Sequence, residues 1–562
     1  MASAMLLSLG IFFLFVSSFA EQAPYISFAK DATSAPQLDY YDYVVIGGGT
    51  AGCALAATLS ASAKVLLLER GGLPYGNPNV TQIAGFAKSL LDTSRSSPAQ
   101  LFVSTDGVFN HRARVLGGGS AINAGFYTRA SAEYVRGAGW DPRLANESYE
   151  WVERKVAHLP RVQQWQAAVR DGLRDAGVAP DHGATYEHLH GTKVGGSIFD
   201  ENGVRHTAAD LLEYAHPPNI TVYFHATVHR ILFNTSLGRK PKANGVFFKD
   251  SKGYNHRVYL KRGAANEIIL SAGALGSPQL LMLSGIGPGP ELRAWGINVV
   301  VEQPLVGQGM SDNPMNALLI PSSRPVEISL VQVVGISNIG SYIEAASGFF
   351  ELSSIYDFVQ DNTNVANKTV EPFMIPTNQT IQQILQGSKA QNARLAVVLQ
   401  KITGPFSTGY MELENKDPDS NPRVTFNYFK DERDVARCVG GMNILRKVVR
   451  SRAVSEFLFP FTSFESLQRF MLSLPINLRG KHVASAYSME QYCRDTVMTL
   501  WHYHGGCQVG RVVDPDYRVI GVDSLRVVDG STFYFSPGTN PQATVMMLGR
   551  YMGQMILQHR DS

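Results

Sequence analysis

Cysteine is scarce: the chain has four in 562 residues, with no C-x-x-C pair and no cluster of metal-ligand spacing, which leaves disulfides or buried thiols as their uses. There is no G-x-S-x-G elbow, no H-E-x-x-H helix and no glycine-rich loop with a Walker lysine, so serine hydrolysis, zinc-protease chemistry and P-loop nucleotide hydrolysis are excluded. Charge of one sign is also lacking. The 50 basic and 47 acidic residues leave a formal charge of +3, and no Lys/Arg run is long enough to follow a phosphate backbone, so nucleic acid is not an expected partner. Only 17% of residues are charged and 44% are hydrophobic, enough apolar material for a large core in two or more folding units.

The one long hydrophobic run is at the start. Residues 1–20 carry no charged side chain, are apolar from Leu6 to Val16 and end Ser18-Phe19-Ala20, the pattern of a cleaved signal peptide; a signal anchor is the alternative. No later segment approaches a membrane span, so a secreted, extracellular protein is expected, with retention in the endoplasmic reticulum as a variant of that route. Six N-x-[ST] sequons, at Asn79, Asn146, Asn219, Asn234, Asn367 and Asn378, would then be usable acceptors. Cys53 falls in the tight first turn of a helix and is a poor bridging partner, which favours Cys438 with Cys493 and leaves Cys507 as a thiol.

Residues 21–39 are polar and aperiodic and read as a surface leader, with structure beginning at Tyr41. Tyr43 to Ile46 is a buried parallel strand by pattern. It stops at glycines, leads into a helix over Ala51–Ser60 and is followed by a second strand, Lys64–Leu68, closed by Glu69. Within this β-α-β unit Gly47, Gly49 and Gly52 form G-x-G-x-x-G. The first glycine permits the turn, the second lets a pyrophosphate approach, and the third lets helix and strand pack, while Glu69 is expected to accept from ribose hydroxyls. A second glycine cluster, Arg114 to Asn123, is too short in apolar residues for another nucleotide strand and reads as a loop that approaches something closely.

Residues 155–195 read as amphipathic helix and loop, and 219–262 as strands. Glu267–Gly273 reads as a further buried strand, followed by a helix started by Pro278 and stopped by glycine. The stretch from 315 to about 480 lacks glycine-rich turns and suits a separate substrate-facing domain. Glycine returns after about 495, so the dinucleotide unit is expected to be discontinuous: 40–314 and 495–562, with 315–494 between. In Trp501-His502-Tyr503-His504-Gly505-Gly506 two imidazoles sit among aromatic and glycine neighbours; on an extended segment His502 and His504 would share a face. One of them is a candidate general base, since imidazole titrates near neutral pH. Asn540-Pro541-Gln542 begins the last helix, with Asn540 at the cap.

These elements in this order, from Tyr41 to the C-terminus, resemble the glucose-methanol-choline (GMC) oxidoreductase family, and within it the plant HOTHEAD-like and mandelonitrile lyase-like branch. The resemblance rests on VLGGGSAIN, GALGSPQLLMLSGIG, WHYHGG and NPQAT as they stand here. It implies an α/β fold with a discontinuous Rossmann-type FAD-binding domain and a substrate domain of antiparallel sheet and helices. It implies FAD as cofactor, held by Gly47, Gly49, Gly52, Glu69, Gly119, Ser120, Asn123, Val228, Asp529 and Gln542. The catalytic pair it implies is His502 as base and Asn540 beside it, and it supports the Cys438–Cys493 bridge. Lyases of this branch carry a second histidine where Asn540 stands and a cysteine shortly after a Gly-Ile-Ser-Asn stretch; Gly335–Asn338 is present here, with no cysteine between Cys53 and Cys438. The expectation is therefore oxidation of a primary alcohol, with a long-chain ω-hydroxy fatty acid as a candidate substrate, by a monomer. Hydroxynitrile cleavage with an idle flavin is the alternative. Relatives that attach the flavin covalently do so near His111.

Overall fold

The computed structural model describes residues 27–236, 238–351, 394–460 and 462–561; the signal segment, Asn367 and Asn378 lie outside them. The strand Tyr43–Ile46 is buried at every residue, as a run covered on both faces must be. It lies inside a six-stranded, wholly parallel sheet in the spatial order Ala29–Asp31, Ile220–Phe224, Val65–Leu68, Tyr43–Ile46, Glu267–Leu270, Leu525–Val527. The last strand comes from the C-terminal segment, so the dinucleotide unit is discontinuous. The helices Gly52–Leu59 and Gln542–Asp561 pack against each other beside this sheet.

A second six-stranded sheet runs Met315–Pro321, Arg394–Ile402, Ser341–Glu351, Val333–Ile336, Gly191–Val194, Asp181–Ala184, antiparallel except for the last pair. The helices Gln164–Asp175 and Glu432–Arg450 pack on it. Cys438 on the second of these is joined to Cys493 on the helix Met489–Asp495, and Cys53 and Cys507 are buried free thiols.

Three local expectations are corrected. Residues 21–39 are not wholly a surface leader: Ala29–Asp31 extends the parallel sheet and Leu38–Tyr41 joins a four-stranded sheet beside Asn255–Leu260. Edge strands are held by backbone hydrogen bonds and need little apolar periodicity, which is why the pattern hid them. The same holds for the edge strand Asp181–Ala184, while Gly191–Val194, also in the stretch read as helix and loop, is an interior strand, paired on both sides and buried throughout, that its short Gly-Thr-Lys-Val sequence does not announce. Pro278 does not start its helix, which runs Gly273–Leu283 with the proline inside. Its first turn is held from outside, by the Asp529 carboxylate on the Gly273 N–H at 2.9 Å, so it needs no capping residue of its own. Of the described sequons, Asn79, Asn146 and Asn234 are exposed, whereas the Asn219 amide donates to the Ser60 carbonyl at 2.9 Å.

Candidate functional site

One cavity runs along the carboxyl ends of the parallel strands, from the glycine turn to His502. Its floor is backbone meeting backbone. Gly47 has φ +103°, and a Cβ there would lie 2.4 Å from the Ser271 carbonyl oxygen; Gly118 has φ +58°, and its Cβ would lie 2.7 Å from the Gly49 Cα. Any side chain at either position would fill the cradle or push the two loops apart. Glu69 closes one wall, with one carboxylate oxygen accepting from the Gly48 N–H at 3.0 Å and the other from Gly71 at 2.7 Å. Burial raises its pKa against those two N–H groups and Arg70.

The opposite wall is built by the last segment of the chain. Asp529 takes the Gly273 N–H and, at 2.5 Å, the Ser277 hydroxyl on one oxygen and the Ser531 N–H on the other. Asn123 donates to the Gln542 carbonyl oxygen at 2.9 Å, and Gln542 donates to the Phe126 carbonyl at 2.6 Å, which ties the second glycine loop to the final helix. Asn540 does not cap that helix: its Oδ1 is buried and accepts no hydrogen bond. The residue before it is held instead, the Tyr342 hydroxyl donating to the Thr539 carbonyl at 2.5 Å.

His502 is buried, and its Nδ1 has no hydrogen-bond partner. It is presented by a tight turn in which Trp501 adopts φ +61°. The Trp501 N–H donates to Thr499 Oγ1 at 2.9 Å, and the Thr499 hydroxyl donates to Asp312 Oδ2 at 2.5 Å, an oxygen that also accepts the Tyr428 hydroxyl at 2.6 Å. Burial pushes Asp312 up to about 6. Burial also pushes the His502 pKa well below the ordinary imidazole value, and the cation of Lys401 and neighbouring His504 add to it, so His502 is neutral and able to accept a proton. Lys401 is wholly buried, paired with Glu344 at 2.5 Å and lying over the Tyr342 ring.

The cavity brings together His502, Asn540, Gly47, Gly49, Glu69, Gly119, Asn123, Val228, Asp529 and Gln542. Two expected residues lie behind it. Gly52 supports the turn, where a Cβ would strike the Gly47 carbonyl at 2.0 Å, and Ser120 fastens the second loop by donating to the Gly117 carbonyl and accepting from the Ala208 N–H. The two imidazoles do not share a face. His502 and Tyr503 line the cavity while His504 turns inward, its Nδ1 against the His502 carbonyl at 3.0 Å. His111 lines the cavity too, with Nε2 on the Leu90 carbonyl at 3.1 Å. Asp312, Tyr342, Glu344 and Lys401 were not singled out from sequence. A signal for the last two exists: Glu344 and Lys401 each follow or precede apolar residues in the interior of a strand, Tyr-Ile-Glu-Ala-Ala and Leu-Ala-Val-Val-Leu-Gln-Lys-Ile.

Family models described as GMC oxidoreductase match residues 41–315 and 405–549. The chain belongs to this family. Over 530 residues it is 52% identical to Protein HOTHEAD of Arabidopsis thaliana, covering 92% of this chain and 88% of that one. It is 47% identical to an (R)-mandelonitrile lyase-like protein of the same plant (95% and 93% covered) and 42% identical to the sinalpyl alcohol oxidase Nec3 of Nesocodon mauritianus (95% and 92%). The crystal structure of formate oxidase superposes with a TM-score of 0.71 at 21% identity, covering 94% of this chain and 100% of that one. As a GMC oxidoreductase the chain is an FAD-dependent enzyme, and its cavity fits that cofactor. The Gly47 and Gly118 cradle admits no Cβ, and the buried unpartnered atoms of His502 and Asn540 stand at the far end. Gly47, Gly49, Glu69 and Val228 would hold the dinucleotide end, and Gly119, Asn123, Asp529 and Gln542 the rest. Among the described residues no helix is long and apolar enough to cross a membrane.

Proposed function

We propose that this enzyme oxidises a primary alcohol, with His502 as the base and Asn540 as the group that holds the substrate oxygen. The observation that carries this is that His502 Nδ1 and Asn540 Oδ1 are both buried, lack a hydrogen-bond partner and belong to residues lining the same cavity. Buried polar atoms without partners are costly in a finished fold, and a substrate hydroxyl, with its one proton to give, supplies what His502 lacks. Neutral His502 accepts the hydroxyl proton, and the side-chain NH2 of Asn540, not its Oδ1, donates to the oxygen as its negative charge develops. Bound FAD supplies the acceptor for the hydride that leaves the carbinol carbon.

An apolar chain on the alcohol suits the surroundings. Leu500 lines the cavity two residues before His502 and is backed by the buried group Met315, Ala317 and Leu399 on the second sheet, so an apolar surface is available beside His502. A long-chain ω-hydroxy fatty acid is the candidate we favour, acted on by a secreted, monomeric enzyme. Hydroxynitrile cleavage has a relative's name behind it, but Asn540 and the absence of a cysteine between Cys53 and Cys438 weigh against it.

The experiment is anaerobic mixing of the yellow enzyme with a panel of primary alcohols of rising chain length. Flavin bleaching that deepens with chain length, and its loss in His502→Ala with the flavin still bound, is the expected result. Rapid benzaldehyde release from mandelonitrile, with no alcohol bleaching the flavin, would overturn it.

A further inference from the structure

The strands Gly409–Glu412 and Arg423–Thr425 pair antiparallel, Glu412 opposite Arg423, beside Gln308–Met310. The residues between them, 413–422, do not make a tight hairpin. They reach across to the nucleotide end of the cavity, where Pro418 joins Glu69, Arg70, Arg112 and Gln279 in its wall. Asp419 forms ion pairs with Arg70 at 3.4 Å and with Arg114 at 3.2 Å, one carboxylate oxygen to each. Arg112 donates to the Asn421 side chain at 3.5 Å, and the Gln279 amide to the Ser420 carbonyl at 2.8 Å.

Of those partners Arg70, Arg112 and Gln279 line the cavity, and Arg114 lies in the chain between the lining residues Ala113 and Val115. Arg70 follows Glu69 in the chain, Arg112 and Arg114 lead into the second glycine loop, and Gln279 lies on the helix that Asp529 caps. One loop therefore grips three sides of the dinucleotide end. Among the described residues Arg112 has no carboxylate within ion-pair distance, so the charge pairing across to that wall falls to Asp419, while the loop's Glu414 pairs with Arg423 at the loop's own base at 3.9 Å. The pairs are partly exposed, with 31% of the Asp419 side chain and 26% of Arg114 open to solvent, so salt can weaken them.

We propose that residues 413–422 are a clasp that retains FAD, with Asp419 as its pin between Arg70 and Arg114. The cofactor leaves only when the clasp lets go, and the rate of leaving is set by these pairs rather than by the catalytic end. The proposal rests on FAD being the cofactor and not on the role of His502.

The test is the rate at which flavin fluorescence appears after holoenzyme is passed into FAD-free buffer. Asp419→Asn is expected to release FAD roughly tenfold faster than the parent, the loss of two modest ion-pair contributions. Added FAD should restore the parent's absorbance spectrum, and Asp419→Glu should bring release back toward the parent's rate. Parent release should quicken as salt rises through the range where the Debye length shrinks from about 10 Å to about 3 Å, and Asp419→Asn should lose that dependence. Parent-like release and salt dependence in both Asp419→Asn and Asp419→Ala would overturn the clasp. If neither variant folds, a parent rate indifferent to salt does so on its own. His502→Ala is expected to release FAD like the parent, which separates this outcome from failure of the proposed chemistry.

Discussion

Thr499 hands its hydroxyl proton to Asp312 at 2.5 Å while its oxygen receives the Trp501 N–H at 2.9 Å. That relay holds a non-glycine residue in the left-handed region, a conformation that costs about 1–2 kcal/mol and persists only where something fixes it. The turn it fixes presents His502. Thr499→Val removes both bonds, and kcat is expected to fall roughly tenfold or more, as a misdirected base would. Thr499→Ser, which keeps both bonds, should retain most of the activity. The flavin absorbance of each variant, unchanged, checks that the fold and cofactor survive.

The depressed pKa of His502 fixes the sign of the pH dependence. A base works only while unprotonated, so kcat/KM should hold level as pH falls through the ordinary imidazole value of about 6.5 and drop only further down. Removing the Lys401 charge should raise the His502 pKa and move that acid limb upward. Because Lys401→Met alone would strand buried Glu344, the variant to measure is Lys401→Met with Glu344→Gln. An acid limb that does not move in the double variant would mean that burial and His504, without Lys401, set the value.

Asn540 should matter to the reaction more than to the fold, since its Oδ1 bonds nothing in the protein. Asn540→Ala is expected to lower kcat/KM by roughly 10- to 100-fold, the worth of about 1.5–3 kcal/mol for a hydrogen bond to a group gaining charge. Its melting temperature should stay close to the parent's, and a scanning calorimeter alongside steady-state kinetics separates the two effects.

The Cys438–Cys493 bridge closes a span of 55 residues between two helices beside the second sheet. Replacing both cysteines by serine should cost about 2–4 kcal/mol, chiefly by freeing the unfolded chain. Denaturant unfolding with and without the bridge gives the number. Cofactor content should change little under native conditions, because neither helix contributes a residue to the lining of the cavity.

The dinucleotide unit was legible because its physics is local. A strand covered on both faces must be apolar throughout, and a turn that lets backbone meet backbone must be glycine, so Tyr43 to Glu69 announces itself. The histidine block and Asn540 were legible through resemblance, and the cavity collects ten of the twelve residues that resemblance named. Other features were hidden because they act at a distance in sequence. Nothing next to Asp312 marks it as the support of a turn near residue 500, and nothing in 413–422 points to arginines more than 300 positions earlier. Strands such as Ala29–Asp31 escaped because their partner's backbone, not their own side chains, makes them strands.

That short strand has a cost of its own. Ala29 lines up with Val222, so the segment is synthesised long before anything exists for it to pair with. Were it lost to proteolysis or displaced by a fusion, Ile220–Phe224 would become the outermost strand and offer its bare amides and carbonyls to a neighbouring molecule, an invitation to aggregate. Solubility of the whole enzyme thus hangs partly on three residues that take no part in its chemistry.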